Sequence, residues 1–266
     1  DLTHAAPLEL DISAPTPLAW APAEAPVLPE DVLGAPPPDG RPVRIVIVSD
    51  THGYEAQFPP LPEGDVLIHG GDFQMDGGGA KASQEAFDRW LAAQPHAVKI
   101  VVRGNHDDHN AKFGRSGARF VARRPALLRV CGLRVLVMPF SRRRGAHTRS
   151  PMPGCDVLLT HSPPKFLLDK CYNGENAGST TLRHAVEQSL APPQLWICGH
   201  VHEARGHAYL ESAVGAPKTL VLNAANANVG RASHLVAAPC VADVLPRVAE
   251  AADAGGGADQ RLLAVG

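Results

Sequence analysis

The feature that most constrains the fold of this chain is a series of short aliphatic runs separated by turn residues. They read VRIVIV (43–48), DVLIHGG (65–71), AVKIVVRG (97–104), LLRV and LRVLVM (127–138), DVLLTH (156–161), QLWICGH (194–200) and TLVLNAA (219–225). Runs that are apolar on both faces are typical of strands in a sheet that is covered on both sides. The sequence therefore predicts a core built on buried strands.

Two segments between these runs have the periodicity of helices. Residues 81–94 (KASQEAFDRWLAAQ) and 180–190 (TTLRHAVEQSL) each place apolar side chains on one stripe of a helix. Strands that alternate with helices indicate an α/β domain. We therefore predict an α/β fold for the middle of the chain.

The two ends of the chain differ in composition from this middle part. Ten of the 25 prolines precede residue 43, and each removes a backbone donor and restricts its neighbour. From about residue 239 the chain is rich in Ala and Gly, which bury too little apolar surface to offset the entropy of ordering. We predict an N-terminal arm at 1–42, one domain at 43–238 and a C-terminal tail at 239–266.

Charge and hydropathy exclude several classes of partner. A composition that is 44% hydrophobic and 20% charged is ordinary for a globular protein of 266 residues. The formal net charge of -2 gives no basic field, so long nucleic acids are not expected as partners. No run of about 18 apolar residues occurs, so no membrane partner is expected either. The sequence does not determine the oligomeric state.

Cysteine usage indicates the compartment. The five cysteines are an odd number without C-x-x-C spacing, which argues against a disulfide framework and a zinc-thiolate site. A reducing compartment, the cytoplasm, is therefore expected. The chain begins at Asp1 without a methionine, as a processed or trimmed form would, so a targeting segment is not excluded.

Polar residues with metal-ligating side chains follow five of the predicted strands. They are Asp50 and His52 in SDTHG, Asp72 in HGGDF, Asn105, His106 and Asp107 in RGNHDD, His161 in LLTHSPP, and His200 and His202 in CGHVHE. Asp50 and His52 alternate along an extended chain, so they are expected to face the same side. Any one motif also suits an ordinary turn. Five at the carboxyl ends of strands, where α/β proteins assemble their sites, predict one functional site.

The order D-x-H, GD, GNH[DE], H, GHxH resembles the calcineurin-like metallophosphoesterase superfamily over about residues 43–230. Within it, THSPP, CGHVHEARG and NAANANV resemble the small metallophosphoesterase-domain proteins of the fetal-brain type. The resemblance implies a four-layer αββα sandwich, in which two mixed β-sheets lie face to face with helices outside.

The resemblance also implies two divalent metal ions per chain and a role for each residue. The first ion would be held by Asp50, His52 and His202, and the second by Asn105, His161 and His200, with Asp72 between the two. Mixed Asp, Asn and His ligands suit Mn, Fe or Zn better than Mg or Ca alone, and Mn is favoured. Such a pair can hold a hydroxide as nucleophile and clamp the phosphoryl oxygens.

Catalytic and substrate-binding roles follow from the same resemblance. His106 would be the general acid that protonates the leaving oxygen, or it would stabilise charge on the phosphoryl group, and Asp107 would orient its imidazole. Asn105 and His106 are expected to contact the substrate. Arg142 and Arg143 in SRRRGAHTR suit phosphate oxygens. A solvated loop is an at least equally good interpretation of these arginines. This segment also departs from the fetal-brain type, so the resemblance implies no substrate recognition there.

The function implied is hydrolysis of phosphodiesters by metal-bound hydroxide, most readily of small diesters such as cyclic nucleotides. The alternative is a nucleotide-binding or regulatory protein of low turnover, as in relatives that have lost a ligand in GHxH, but His202 is present here. A phosphomonoesterase or phosphoprotein phosphatase ranks below both. Phosphoprotein phosphatases carry arginines in GDxVDRG and after GNHE, and the segments GDFQMDGG and GNHDDHN lack both.

Overall fold

The computed structural model describes residues 2, 6–12, 30–74, 80–141, 152–212 and 216–247. The β-strands in these ranges are β1 (Leu8–Ile12), β2 (Glu30–Leu33), β3 (Val43–Val48), β4 (Val66–His69), β5 (Val98–Val102), β6 (Arg119–Val121), β7 (Ala126–Val130), β8 (Leu133–Met138), β9 (Val157–Thr160), β10 (Leu195–Cys198), β11 (Gly206–Leu210), β12 (Thr219–Asn223) and β13 (Cys240–Val244). The α-helices are α1 (Ala80–Ala93) and α2 (Thr180–Glu187), and short 3-10 turns occur at Glu55–Gln57 and His202–Ala204. No helix in these ranges is long and apolar enough to cross a membrane.

The strands form two mixed sheets. The first sheet has six strands in the order β1-β13-β3-β4-β5-β6, and the second has seven in the order β11-β12-β10-β9-β8-β7-β2. Strands β3, β4 and β5 are parallel neighbours in the first sheet, as are β9, β10 and β12 in the second. Each sheet therefore has one edge at which the carboxyl ends of several strands lie side by side.

Side-chain alternation along the strands produces four layers. In β3, Ile45 and Ile47 belong to the core between the two sheets, whereas Val46 packs in the cluster that includes Phe87 of α1. In β10, Trp196 packs in the corresponding cluster with α2. Successive residues of a strand point to opposite faces, so strands that are apolar on both faces contribute to two cores. The two sheets together therefore fill one core between them and one core on each outer face. The predicted αββα sandwich of two mixed sheets is confirmed.

The predicted aliphatic runs all form strands, and both predicted helices form. The predicted start of the tail at residue 239 is wrong, because β13 lies between β1 and β3 in the first sheet. Its residues Cys240, Ala242 and Val244 are buried in the core between the sheets, and the Ala- and Gly-rich composition of the following segment had concealed this short strand. Strands β1 and β2 lie within the predicted arm and pair with β13 and β7.

Candidate metal centre

The carboxyl-end edges of the two sheets are joined directly. Ser49, just after β3, forms an isolated β-bridge with Ala225, just after β12. The Ser49 amide donates to Asn226 Oδ1 (2.8 Å), and the Asn226 amide donates to the Ser49 carbonyl (2.9 Å). The Asn226 side chain is fully buried and also donates to the carbonyls of Ala237 and Ala238. The loops that follow the strands of both sheets consequently face each other.

Two clusters of ligand-type side chains lie where these loops meet. One cluster contains Asp50, His52 and His202, and the other contains Asp72, His161 and His200. Within each cluster the ligand atoms lie within 4.8 Å of one another. Each cluster draws on both sheets, because Asp50, His52 and Asp72 follow strands of the first sheet and the other three follow strands of the second.

Asn105 joins the second cluster. Its Oδ1 lies 3.0 Å from His161 Nε2, and Asp72 Oδ2 lies 3.2 Å from the same nitrogen. The structure therefore brings all seven residues that were predicted to bind metal to one place. Six of the seven divide as the resemblance implied, whereas Asp72, which was predicted to lie between the two ions, groups with the second cluster. The role of all seven as ligands stays a prediction.

The orientation of the imidazole rings fits divalent metal ions. His161 Nδ1 lies 2.9 Å from the carbonyl oxygen of Gly70, and His202 Nδ1 lies 2.9 Å from that of Asn228. A carbonyl partner places the proton on Nδ1 and leaves the Nε2 lone pair for a cation. In His52, Nε2 is buried without a hydrogen-bond partner among the described residues. A buried nitrogen without a partner is costly, and a metal ion would satisfy it.

The charges at this site strongly favour a cation. Burial by itself would raise the pKa of Asp50, but the hydrogen bond with His202 and the charges of nearby histidines lower that pKa well below its usual range. Burial would likewise lower the pKa of His161, but the charge and hydrogen bond of Asp72 raise it to about 10, so that a proton on Nε2 occupies the position that a metal ion would take. The pKa of Asp72 is lowered to about 2, because the charge of His161 outweighs the effect of burial. Buried carboxylates that stay ionised attract positive charge.

Four ligand residues have left-handed backbone conformations. The φ angles are 55° at Asp50, 49° at His52, 56° at Asp72 and 72° at His200. Such values are uncommon for residues other than glycine and persist where the surrounding structure enforces them. The argument that Asp50 and His52 alternate along an extended strand is wrong, because β3 ends at Val48 and a tight loop carries both residues. Both side chains nevertheless reach the same cluster.

Glycines precede two of the ligands because the backbone passes very close to a carboxylate. A Cβ atom at Gly104 would lie 2.0 Å from Asp72 Oδ1, and one at Gly199 would lie 2.1 Å from Asp50 Oδ2. Real Cβ contacts are not this short, so a side chain at either position would displace the carboxylate. The motifs GNH and GHxH therefore need their glycine for close approach.

Asp107 holds two of the site loops together. Its carboxylate accepts hydrogen bonds from the backbone amides of Asp72 (2.8 Å), Phe73 (3.0 Å), Gln74 (3.2 Å) and Gly104 (2.8 Å). Burial and the charge of Asp72 raise its pKa to about 7. These contacts fix the loop after β4 against the loop after β5, a role that sequence reasoning missed. Its expected role in orienting His106 stays a prediction.

His106 stands at the rim of the site. Its backbone amide donates to Asp72 Oδ1 (2.9 Å), and its ring centroid lies 5.2 Å from that of His52. The side chain is 37% exposed, so a substrate can reach the imidazole. Arg142 and Arg143 lie outside the described residues, and their predicted contact with the substrate stays a prediction.

Two cavities flank the clusters. The smaller has a volume of about 340 Å³, and its wall includes His52, His106 and His202. The larger has a volume of about 670 Å³, and its wall includes His161 and Lys165. The two cavities share His200 and Ala177. The site is thus open on two sides.

Paired Asp and His clusters at the joined edges of an αββα sandwich define a candidate binuclear site for divalent metals. The family model of calcineurin-like phosphoesterases matches residues 43–204, and the chain belongs to this family. The match includes every residue of both clusters together with Asn105, His106 and Asp107.

Curated relatives of this chain cover it to different extents. Probable rhamnogalacturonate lyase C of Emericella nidulans is 32% identical over 190 residues, which are 62% of this chain but 17% of that protein. UPF0046 protein K07C11.7 of Caenorhabditis elegans is 30% identical over 229 residues, 74% of this chain and 75% of that protein. Metallophosphoesterase domain-containing protein 1 of Homo sapiens is 29% identical over 213 residues, 65% and 64% of the two chains. The chain thus matches a small part of the first protein and most of the second.

Proposed function

We propose that this metal-dependent phosphoesterase hydrolyses phosphodiesters with two divalent ions, Mn being the favoured metal. The observation that carries the proposal is the pair of clusters with His106 at their rim. The two cavities support a diester, since they offer space for two ester substituents. Small diesters, of which cyclic nucleotides are one class, are the proposed substrates.

The residues of the chain divide the work of this reaction. Ions bound by the two clusters would activate a water molecule and neutralise charge on the phosphoryl group. His106 would carry a proton and give it to the leaving ester oxygen, because its exposed imidazole faces the smaller cavity. Asp72 fixes the backbone of His106 through Oδ1 while Oδ2 faces His161. Asp107 keeps both loops in register.

A low-turnover nucleotide-binding protein is the second candidate. The presence of His202 in the first cluster argues against it, because that cluster is complete in His and Asp side chains. The cytoplasm is the proposed location, and the five free cysteines, four of them buried, support a reducing compartment.

The test is a comparison of two substrates on protein that has been stripped of metal and reloaded with Mn. We expect faster hydrolysis of an aryl phosphodiester than of the matching aryl phosphomonoester. The His106→Ala variant should lose roughly 100-fold in turnover with unchanged metal content, because general acid catalysis contributes about that much. His109→Ala is the matched control, since His109 lies in the same loop with a side chain that is 44% exposed.

Each result has a separate meaning. A preference for the monoester would overturn the diesterase proposal. Loss of metal in His106→Ala would show that His106 is a ligand rather than the acid. Two bound metals without turnover on either substrate would favour the nucleotide-binding candidate, and nucleotide affinity would be measured next.

A further inference from the structure

We propose that the larger cavity holds the ester substituent that stays on phosphorus, that this substituent is anionic, and that Lys165 selects it. The substituent in the smaller cavity is then the one that leaves. This inference rests on the proposed diesterase function and deepens it, because it assigns a cavity to each arm of the diester. It favours open-chain diesters, whose two arms can diverge, over cyclic ones.

The larger and the smaller cavity adjoin each other at the candidate metal centre. The cavities meet at His200 and Ala177. The second ligand cluster lies at this junction, because His161 lines the larger cavity and Asp72 lines the smaller one. A phosphoryl group bound at the second cluster would therefore border both cavities. Since a diester phosphorus carries two ester arms, each arm would enter a different cavity.

The position of His106 decides which arm leaves. Among the described residues His106 lines the smaller cavity, together with His52 and His202, and does not line the larger one. An imidazole can protonate only an oxygen within hydrogen-bond reach. The arm in the smaller cavity is therefore the one whose oxygen can accept the proton.

The charges of the two walls differ. Among the described residues that line the larger cavity, Lys165 is the one Lys or Arg, and none is an Asp or Glu. Hydroxyl side chains from Ser162, Ser179 and Thr181 line the same wall. In the smaller cavity Arg231 is accompanied by Glu203 and Asp72. An anionic arm is therefore favoured in the larger cavity and not in the smaller one.

The ammonium group of Lys165 is held in place without a carboxylate partner. Its Nζ donates to the carbonyl of Asn176 and lies 5.5 Å from the ring centroid of Phe166. No ion pair of Lys165 occurs within the part of the chain that the structure describes. A Lys that is positioned by a carbonyl and an aromatic ring keeps its charge available for an anion.

The reaction balances as a simple hydrolysis. The oxygen of water forms a bond to phosphorus, and the bond between phosphorus and the oxygen of the smaller-cavity arm breaks. That oxygen takes a proton from His106 and leaves as an alcohol or phenol. The larger-cavity arm remains on the phosphomonoester product, and a proton of the attacking water restores the proton of His106.

The test uses one diester that carries both kinds of arm. Its arms are 4-(carboxymethyl)phenyl and 4-(carbamoylmethyl)phenyl, which have nearly the same size and leaving-group strength but differ in charge. We expect the Mn-loaded protein to release the carbamoyl phenol and to keep the carboxylate arm on phosphorus in about fivefold excess. The ratio of the two phosphomonoester products is measured by chromatography and does not depend on the overall rate.

Substitutions of Lys165 test whether its charge sets the ratio of the two products. In Lys165→Met, which keeps most of the apolar stem, the product ratio should fall to about one. In Lys165→Glu it should invert. Lys170→Met is the matched control, because Lys170 is exposed on the same loop and does not line the cavity, and it should keep the wild-type ratio.

A binding measurement keeps this inference distinct from the diesterase proposal. Calorimetry would compare 4-(carboxymethyl)phenyl phosphate with its carbamoylmethyl counterpart on the Mn-loaded protein. Affinity about fivefold higher for the carboxylate, lost in Lys165→Met, supports the assignment even if no diester is hydrolysed. Absence of hydrolysis would overturn the diesterase proposal alone. Equal affinities, or a product ratio of about one in the wild-type protein, would overturn the role of Lys165.

Discussion

At Gly104 the absence of a side chain allows the loop after β5 to approach the Asp72 carboxylate. The Gly104→Ala variant should move this carboxylate, because the new Cβ would lie 2.0 Å from Oδ1. We expect less than the wild-type amount of bound metal and a lower thermal midpoint, measured by elemental analysis and calorimetry. Gly114→Ala is the control, since a Cβ there would meet nothing within 4 Å. Wild-type metal content in Gly104→Ala would contradict the close-approach argument.

Asp72 is predicted to lie between both metal ions. The Asp72→Ala variant should therefore lose both ions, because removal of a bridging carboxylate leaves two like charges close together. Elemental analysis of the dialysed protein measures the metal content. Asp108→Ala is the control, since the Asp108 side chain is 47% exposed. If Asp72→Ala retains two ions per chain, Asp72 is not a bridging ligand.

The sequence predicted the ligand-type residues but not the groups that hold them. Asp, His and Asn residues that follow strands form a recognisable sequence pattern, so all seven predicted metal ligands were identified from the sequence. Ser49 and Asn226 were missed because they are separated by 177 residues and interact mainly through backbone groups. The amide contacts of Asp107 were missed for a similar reason, since backbone amides have no signature in a sequence. Contacts between distant backbone groups depend on the whole fold.

At the scale of elements, the short turn Glu55–Gln57 after β3 contains a buried acid. Glu55 is 4% exposed, and its Oε2 has no hydrogen-bond partner among the described residues. Burial raises its pKa from the ordinary value of a glutamate to about 7. The protonated form is thus favoured in the fold, so this group's contribution to stability is full below the unfolded pKa and is lost as the pH rises through about 7.

We expect Glu55→Gln to remove this pH dependence. At about pH 8 the variant should have a free energy of unfolding higher by about 1–3 kcal/mol, and at about pH 4 the two proteins should be nearly equal. Urea unfolding at both pH values measures the difference. Glu63→Gln, at an exposed position, should show no such change. An equal shift at both pH values would show that the effect is not ionisation of Glu55.

Elements were predictable where the sequence pattern is local. The long aliphatic runs are buried on both faces, so their composition alone indicates strands. Strands β1 and β2 were assigned to an arm because ten prolines precede residue 43 and restrict the chain there. They are strands because β13 and β7 offer them an edge, and that edge exists only once the sheets have formed.

At the scale of the whole molecule, each ligand cluster connects the two sheets. Ligands that bind only the folded state raise its stability by mass action, about 2.7 kcal/mol per site at a concentration 100 times the dissociation constant. Removal of metal by a chelator should therefore lower the thermal midpoint by roughly 5–10 °C, and Mn should restore it. Calorimetry measures this shift, which should be smaller in Asp72→Ala. An unchanged midpoint in the wild-type protein would show that metal does not stabilise the fold.

The two-sheet architecture was not predictable from the strand pattern itself. Ile45 is buried between the two sheets, and Trp196 is buried on the outer face of its sheet beside α2. One large sheet that is covered on both faces would require the same apolar runs. The resemblance to metallophosphoesterases supplied the sandwich, but it did not supply the order of the strands within each sheet. Strand pairing over long separations is set by the complete chain and not by any one segment.

The origin of each cluster in both sheets has a consequence for biosynthesis. Asp50, His52 and Asp72 leave the ribosome early, but the first cluster is incomplete until His202 has been made and the second until His200 has been made. A nascent chain that has reached only β9 can therefore complete neither metal position. Metal loading at these clusters would therefore follow translation of β10, and a chain that carried both ions would have its two sheets correctly joined.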